Sequence, residues 1–216
     1  MLDGPIPPLI VIAGSIALAW CRRLLIRAPD DRRRWADAAV VLVVVLLAAA
    51  LELKMGRAPT YRNGPVRLWS GDINSDQNSQ QFLDPYSLTH VVHGVVFYGL
   101  TRVVLPVASF PVCALVVVTV EAAWEVYENT DQIINRYRAE TVSRGYYGDS
   151  ILNSMSDILM CVIGLMLARR LPVAATVVGA VTIEAILALW IRDNLTLNVI
   201  MLVHPIKAIR LWQAGG

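Results

Sequence analysis

Charged residues are scarce in this chain: Asp, Glu, Lys and Arg make up 17% of its 216 residues, whereas 56% are hydrophobic. Soluble domains usually carry about 25% charged residues. The formal net charge of +2 is too small to indicate a nucleic-acid partner. The few charges also fall in clusters between long apolar runs. A soluble core does not use so many uninterrupted apolar residues, so the composition predicts an integral membrane protein.

Cysteine is equally scarce, and familiar catalytic motifs are absent. The three cysteines, Cys21, Cys113 and Cys161, lie in or beside apolar segments, and no two form a Cys-x-x-Cys pair. This pattern favours small membrane-buried residues over disulfides or zinc ligands. The sequence has no internal repeat, no low-complexity tract, and no HExxH, GxSxG or P-loop motif. No motif therefore fixes the chemistry.

Long apolar runs predict an all-α fold, a polytopic membrane helix bundle that forms one domain over residues 1–216. The tail after residue 195 contains Pro205 and predicts a C-terminal interfacial helix or a short seventh helix. The first apolar run lacks a preceding basic segment, so we predict a retained helix and not a signal peptide. About six transmembrane helices are predicted, over approximately residues 8–25, 35–53, 86–105, 107–129, 149–168 and 172–191.

The arginines predict the orientation of the bundle. Six arginines lie within residues 22–34, and Arg102 lies beside the short turn between the third and fourth predicted helices. Arg169 and Arg170 follow the fifth predicted helix. Because short basic loops stay in the cytoplasm, these connections belong on the inner side. The polar loops at about 56–85 and 130–148 then face outward. We expect a multi-pass protein of the bacterial inner (cytoplasmic) membrane, with membrane lipids and other membrane proteins as partners.

Polar side chains interrupt three of the predicted helices. His90 and His93 lie three residues apart and share a face of the third helix. The fourth helix carries three carboxylates on one stripe, and the fifth opens with a polar face beside which Asp157 lies. The stripe residues are Glu121, Glu125 and Glu128 on the fourth helix, and Asp149, Asn153 and Ser156 on the fifth.

The predicted topology places all three polar stripes at the outer ends of their helices. At 1.5 Å per residue, His93, Glu121 and Asp157 lie roughly 10–12 Å below the outer helix ends. His90, Glu125 and Asn153 form a second layer about 6 Å below those ends. Each buried carboxylate costs at least about 2.5–3.5 kcal/mol at mid-membrane, so such a group needs protons, cations or a water-filled cavity.

These matched layers predict a functional site. The predicted metal ligands are His90, His93, Glu121 and Asp157, and the ligand types suit a divalent ion such as Zn²⁺. Without a metal the same groups form a general acid–base site. The predicted catalytic residues are His93, Glu121, Asp157 and Glu125, with Asn153 in substrate binding. Two simpler interpretations stay open: Asp149 as the N-cap of the fifth predicted helix, and Glu125 paired with a loop arginine.

A second polar group, Arg192-Asp193-Asn194, lies at the outer end of the sixth predicted helix. Its simpler interpretation is an interfacial stop with an Arg192–Asp193 pair. The functional alternative is that Arg192 binds an anionic substrate group such as a phosphate or carboxylate.

Several stretches resemble an uncharacterised family of alphaproteobacterial membrane proteins, known as a domain of unknown function. More distantly, the order of a His helix, a Glu helix and an Asp helix is similar to VanZ-like membrane proteins. The first resemblance implies an inner-membrane location and no assigned activity. It is carried by Glu-Leu-Lys-Met-Gly-Arg (52–57), Ser-Leu-Thr-His-Val-Val-His-Gly (87–94), Glu-Ala-Ala-Trp-Glu-Val-Tyr-Glu-Asn-Thr (121–130), Tyr-Tyr-Gly-Asp-Ser-Ile-Leu-Asn-Ser-Met-Ser-Asp (146–157) and Ile-Arg-Asp-Asn-Leu-Thr-Leu-Asn (191–198).

Two functions therefore remain. The first is a membrane-embedded hydrolase or transferase, metal-dependent or acid–base, that acts on a lipid or lipid-linked substrate. The second is a non-enzymatic subunit or scaffold of a larger membrane complex, in which the polar cluster is a structural core.

Overall fold

The computed structural model describes residues 6–24, 30–143 and 145–215, and the side chains of Cys21 and of the arginines in 22–34 lie outside the described part. The described ranges hold nine helices and one isolated β-bridge, between Trp69 and Leu83. The helices are α1 (Ile6–Leu24), α2 (Asp30–Lys54), α3 (Ser87–Val104), α4 (Phe110–Glu128), α5 (Asp131–Glu140), α6 (Ile151–Arg170), α7 (Val173–Ile191), α8 (Leu195–Val203) and α9 (Lys207–Gln213).

Helix α4 lies at the centre of the bundle, where it packs against α1, α2, α3 and α6. Apolar residues of α1, α2, α4 and α6 form the largest core cluster, with Val44, Ala122 and Val126 fully buried. Pro111 lies at the first turn of α4, where its missing N–H breaks no helical hydrogen bond. Cys113 and Cys161 are buried free thiols, as predicted.

Helices α3 and α6 cross at two glycines that face each other's backbone. A Cβ added to Gly94 would collide with the carbonyl oxygen of Cys161, and one added to Gly164 would collide with that of Val91. Small residues allow such close approach of membrane helices. The crossing holds the histidine face of α3 at a fixed distance from α6.

The segment of residues 56–85 connects α2 to α3 and is bound to the start of α6. The N–H groups of Ser150 and Ile151 donate to the carbonyls of Ser79 and Ala58. The side chains of Ser150, Asn153 and Ser156 donate to the carbonyls of residues 80, 81 and 82, respectively. The polar face of α6 thus binds consecutive carbonyls of this segment, and the segment in turn supplies acceptors for N–H groups that a helix start leaves unpaired.

Four described helices are long and apolar enough to cross a membrane: the part of α2 from Trp35, and α4, α6 and α7. The apolar part of α1, Ile6–Ala19, is shorter. Helix α3 is not among these four, because its 18 residues include the two histidines of the predicted site. The structure thus supports a helical membrane protein, while the predicted number of six spans stays a prediction.

The structure also describes the predicted loop at 130–148 and the C-terminal tail. The predicted loop at 130–148 contains helix α5, whose buried residues Ile133, Ile134 and Tyr137 lie on one face. The tail forms two short helices, α8 and α9, on either side of Pro205. At about 1.5 Å per residue, neither is long enough to cross a bilayer.

Candidate functional site

Two histidines of α3 converge on one carboxylate of α4 in the interior of the bundle. His90 Nδ1 lies 2.5 Å from Glu121 Oε1, and His93 Nδ1 lies 3.0 Å from Glu121 Oε2. Glu121 is fully buried, and the two histidines are 6% and 7% exposed. The edge of one imidazole faces the other at 5.0 Å, and Phe97 stacks on His93 at 5.1 Å. Both rings are therefore held with their Nδ1 atoms towards Glu121.

Two further carboxylates complete the cluster. Glu125 Oε1 lies 3.2 Å from His90 Nδ1, a nitrogen that Glu121 already engages, and Asp157 Oδ2 lies 3.8 Å from His90 Nε2. Glu125 Oε1 and Asp157 Oδ1 are buried without any hydrogen-bond partner. Within the described residues, the ligand atoms of two groups approach within 4.8 Å of one another: His90, His93, Glu121, and His90, Glu125, Asp157.

The structure thus brings together five residues that the sequence predicted to share a site. Glu121 meets both histidines, as their spacing and depth predicted, whereas Asp157 contacts His90. The predicted separation into two depth layers is not preserved, because side chains reach between the layers. Glu125 faces His90 and not a loop arginine.

A cavity of about 40 Å³ adjoins the cluster and is lined by His90, His93 and Asp157 together with polar side chains from the loops. A buried water needs about 10–15 Å³ in this measure, so the cavity has room for about three or four waters. A lipid head group does not fit into it without movement of its walls.

Asp149 borders the same cavity but does not cap α6. Ser150 is the N-cap, since its side chain accepts from the N–H of Asn153, so the cap interpretation of Asp149 was wrong. The Asp149 carboxylate accepts from Asn129 Nδ2 at 2.8 Å and from the Tyr146 hydroxyl at 3.0 Å. Burial raises the pKa of Asp149 to about 7, against the opposing effect of these two donors. An acid with such a pKa beside a cavity is suited to proton transfer near neutral pH.

The predicted substrate-binding residues lie apart from each other. The Asn153 amide donates to the carbonyl of Gln81 and so holds the 56–85 segment. Arg192 ends α7 in the left-handed region with φ 55°, and its guanidinium donates to the carbonyl of Trp212. The expected Arg192–Asp193 pair was wrong: Asp193 is fully buried and accepts from Tyr86, Asn198 and Gln213.

Two buried acids near the site were not among the residues predicted from the sequence. Asp84 accepts from the N–H of Ser87, whose hydroxyl accepts from the N–H of Asp84, a reciprocal cap at the start of α3. The dipeptide Asp84-Pro85 before an apolar run is typical of a helix start, and it could have indicated this cap. Glu52 is fully buried, and both of its carboxylate oxygens lack a hydrogen-bond partner. An acid inside an apolar run is itself a signal of a functional group.

Comparison with known proteins assigns the chain to a family without a described activity. A family model described as "Protein of unknown function (DUF2585)" matches residues 52–215. UPF0314 protein R03235 of Rhizobium meliloti (strain 1021) is 47% identical over 161 residues, which are 74% of this chain and 82% of that protein. A UPF0314 protein of Paracoccus denitrificans is 49% identical over 168 residues, 78% of this chain and 87% of that protein. No solved structure matches the chain significantly.

Proposed function

The chain belongs to the DUF2585 family of proteins of unknown function, and we propose that it is a membrane-embedded metallohydrolase or transferase. Its substrate would be a lipid or a lipid-linked molecule at the outer leaflet of the bacterial inner membrane. The observation that carries the proposal is the convergence of two histidines on one buried glutamate, beside carboxylate oxygens that have no partner.

The donor set fits a divalent metal. His90 Nδ1, His93 Nδ1 and Glu121 offer two imidazole nitrogens and one carboxylate, the set that catalytic zinc sites use when a fourth position is left for water or substrate. Zn²⁺ is therefore the ion that the donors suit best, with Fe²⁺ and Mn²⁺ as chemical alternatives. A cation here also provides the positive charge that the partnerless oxygens of Glu125 and Asp157 lack.

The bound metal would act as a Lewis acid and lower the pKa of water. Glu125 Oε1 lies 3.2 Å from His90 Nδ1 and is free to accept a proton from water, which is the role of a general base. Asp157 lies on the opposite side of the His90 ring, 3.8 Å from Nε2. From there it would accept the Nε2–H and orient the ring, as carboxylates commonly do for metal-binding histidines.

The position of the site between candidate membrane spans supports a lipid-linked substrate. The cluster lies near the carboxyl end of α4 and the amino ends of α3 and α6, and α4 and α6 are candidate spans. Arg102 and Arg169 lie at the opposite ends of α3 and α6. The positive-inside rule counts short loops, so the end with Arg102 and Arg169 faces the cytoplasm and the cluster faces outward, although the longer connections at the cluster end carry arginines as well.

Separation of metal binding from chemistry tests the proposal. A deletion strain is complemented with wild type, Glu121→Gln, Glu125→Gln or His204→Gln, and whole-lipid extracts are compared by mass spectrometry. We expect wild type and His204→Gln to restore the lipid profile. By elemental analysis of the purified variants, Glu121→Gln should lose its metal and Glu125→Gln should keep it. Neither variant should restore the lipid profile, because loss of a general base typically costs about 10²–10⁴-fold in rate. His204 is the matched control because it is the exposed histidine outside the cluster.

A second candidate function is a structural subunit or scaffold of a larger membrane complex. The observation in its favour is the hydrogen bonding between α6 and the carbonyls of residues 79–82, which uses much of the polar face of α6 for architecture. In that case Glu121→Gln takes the shared carboxylate away from both buried histidines and lowers the melting temperature. A lowered melting temperature, together with wild-type protein that contains no metal, would favour the scaffold.

A further inference from the structure

A second and larger cavity lies at the carboxyl end of α7. Its volume is about 560 Å³, and its walls come from the loop around Asp72, from Trp190 and Arg192, and from Arg210 and Gln213 on α9. Small-molecule sites in proteins typically occupy about 300–1,000 Å³. Unlike the cavity beside the histidines, this one has room for a complete lipid head group.

The walls of this cavity carry both positive and negative groups. Arg192 uses one guanidinium nitrogen on the carbonyl of Trp212, which leaves its other N–H groups available. Arg210 pairs with Glu140 through Nη2, and its Nε is buried without an acceptor. Asp72 adds an exposed carboxylate that accepts from the N–H of Asn74. The positive groups suit a phosphate, and the carboxylate suits an ammonium.

Gln213 provides a separate indication of a ligand. Its side-chain oxygen is buried without a donor, and the residue is only 6% exposed. Its amide nitrogen is already used, since it donates to Asp193 Oδ1 at 3.1 Å. Gln213 and Arg210 both line the cavity, and a side-chain rotation would turn the unpaired Gln213 oxygen and the unpaired Arg210 Nε towards it. There they would match a ligand with N–H donors and phosphate acceptors.

Tryptophans place the cavity at head-group depth. Trp190 lines the cavity and stacks on Trp69 with 6.1 Å between ring centroids. Trp69, Trp190 and Trp212 are 43%, 50% and 41% exposed. Exposed tryptophans are enriched at the membrane–water interface, and Arg192 directly follows the candidate span of α7. A lipid is therefore favoured over a soluble phosphate compound.

We propose that this cavity binds a zwitterionic lipid head group of the phosphoethanolamine type. Its phosphate lies against Arg192 and Arg210, and its ammonium lies against Asp72 and the Gln213 oxygen. A hydrogen-bonded wall separates this site from the smaller cavity: Gln213 and the Tyr86 hydroxyl both donate to Asp193, and Tyr86 lines the smaller cavity. Lipid binding in this cavity therefore does not depend on the proposed metal site.

Native mass spectrometry of the full chain, released from detergent after addition of phosphatidylethanolamine, phosphatidylglycerol or phosphatidylcholine, tests this site. Wild type should retain phosphatidylethanolamine in preference to the other two. Arg192→Gln should lower the affinity of the protein for phosphatidylethanolamine about tenfold or more, because a charge-assisted contact to the phosphate is lost. Asp72→Asn, at an exposed position, should abolish the preference for ethanolamine over glycerol while phosphatidylglycerol binding stays. The matched control is Arg138→Gln, at an exposed arginine of α5 outside the cavity.

Other outcomes overturn the proposal. Equal retention of the three lipids, or unchanged binding by both Arg192→Gln and Asp72→Asn, contradicts a head-group site in this cavity. Displacement of the lipid by millimolar inorganic phosphate alone would assign the cavity to a free phosphate. The metal content of the same preparations is measured separately. Lipid selectivity without metal contradicts the proposed enzyme and leaves the lipid site standing.

Discussion

Buried acids outnumber their positive partners around the site. Glu52, Glu121, Glu125 and Asp157 are all less than 5% exposed. The histidines face Glu121, Glu125 and Asp157, while Glu52 has no hydrogen-bond partner. Each ionised carboxylate at mid-membrane costs at least about 2.5–3.5 kcal/mol. Protons or a metal cation must supply the missing charge, and the convergence of imidazole nitrogens favours the metal.

The buried carboxyl of Asp193 lies between α7 and α8, outside the candidate membrane spans, and its ionisation leads to a prediction about stability and pH. Burial raises the pKa of this carboxyl from 3.8 to about 6, although the N–H of Asn194 and the side chains of Asn198 and Tyr86 oppose the shift. Between these two pH values the folded chain keeps a proton that the unfolded chain releases. The free energy of unfolding therefore falls as the pH rises through this window, and it is level above it.

The variant Asp193→Asn removes this titration. As the pH rises from about 4.5 to about 7.5, the free energy of unfolding of this variant should increase by about 2 kcal/mol relative to that of wild type. This corresponds to roughly 4–8 °C in melting temperature. Thermal unfolding in detergent at the two pH values measures the difference. Asp76→Asn is the control, because hydrogen bonds from Asn63 and Tyr61 lower the pKa of that exposed carboxyl. A difference that stays constant with pH would contradict the account of Asp193.

Among the helices, the pair α3 and α6 determines the geometry of the site. Their glycine crossing fixes the histidine face of α3, and the polar start of α6 holds the 56–85 segment beside the cavity. Neither helix forms the site alone, since the Glu121 carboxylate comes from α4. A change in the spacing of α3 and α6 should therefore affect metal binding without altering any ligand.

Gly94→Ala makes that change. The added methyl collides with the α6 backbone at Cys161. We therefore expect the free energy of unfolding to fall by about 1–3 kcal/mol, and the protein to lose most of its bound metal. Gly99→Ala is the matched control on the same helix, because a Cβ there meets nothing within 4 Å. That control should be neutral or stabilise by about 0.5–1 kcal/mol. Thermal unfolding and elemental analysis measure both effects, and full metal content in Gly94→Ala would refute the role of the crossing.

The sequence predicted helices and polar faces better than it predicted connections. The spacing of His90 and His93, and of Glu121 and Glu125, was sufficient to place these four side chains together. Helix α5 was missed because it has only ten residues and is polar on average. The role of Asn153 was not predictable, because its partner is a backbone carbonyl 72 residues earlier in the chain.

At the scale of the whole molecule, the two ends of the bundle differ in chemistry. Arg169 lies over the Phe110 ring at 3.6 Å, and Arg102 donates to the carbonyl of Ala108, so both are near the connection between α3 and α4. The histidine and carboxylate cluster lies towards the other end of the same helices. This polarity along the bundle is the physical basis for the proposed orientation.

Labelling of single cysteines tests that orientation. In a chain whose three native cysteines are replaced by alanine, a membrane-impermeant maleimide should modify cysteine introduced by Gly71→Cys or Gly145→Cys in intact spheroplasts. It should not modify the cysteine of Asp31→Cys until the membrane is permeabilised. The opposite pattern, with Asp31→Cys alone labelled, would reverse the orientation and place the site at the cytoplasmic face.

If the buried cluster holds a divalent metal, elemental analysis of the purified full-length protein should detect that metal. Wild type and His204→Gln should contain about one divalent metal ion per chain after removal of loosely bound ions. His90→Ala and Glu121→Ala, purified in the same way, should contain little. Metal-free wild-type protein that stays metal-free after incubation with Zn²⁺, Fe²⁺ or Mn²⁺ would contradict the claim, as would equal metal content in all four proteins.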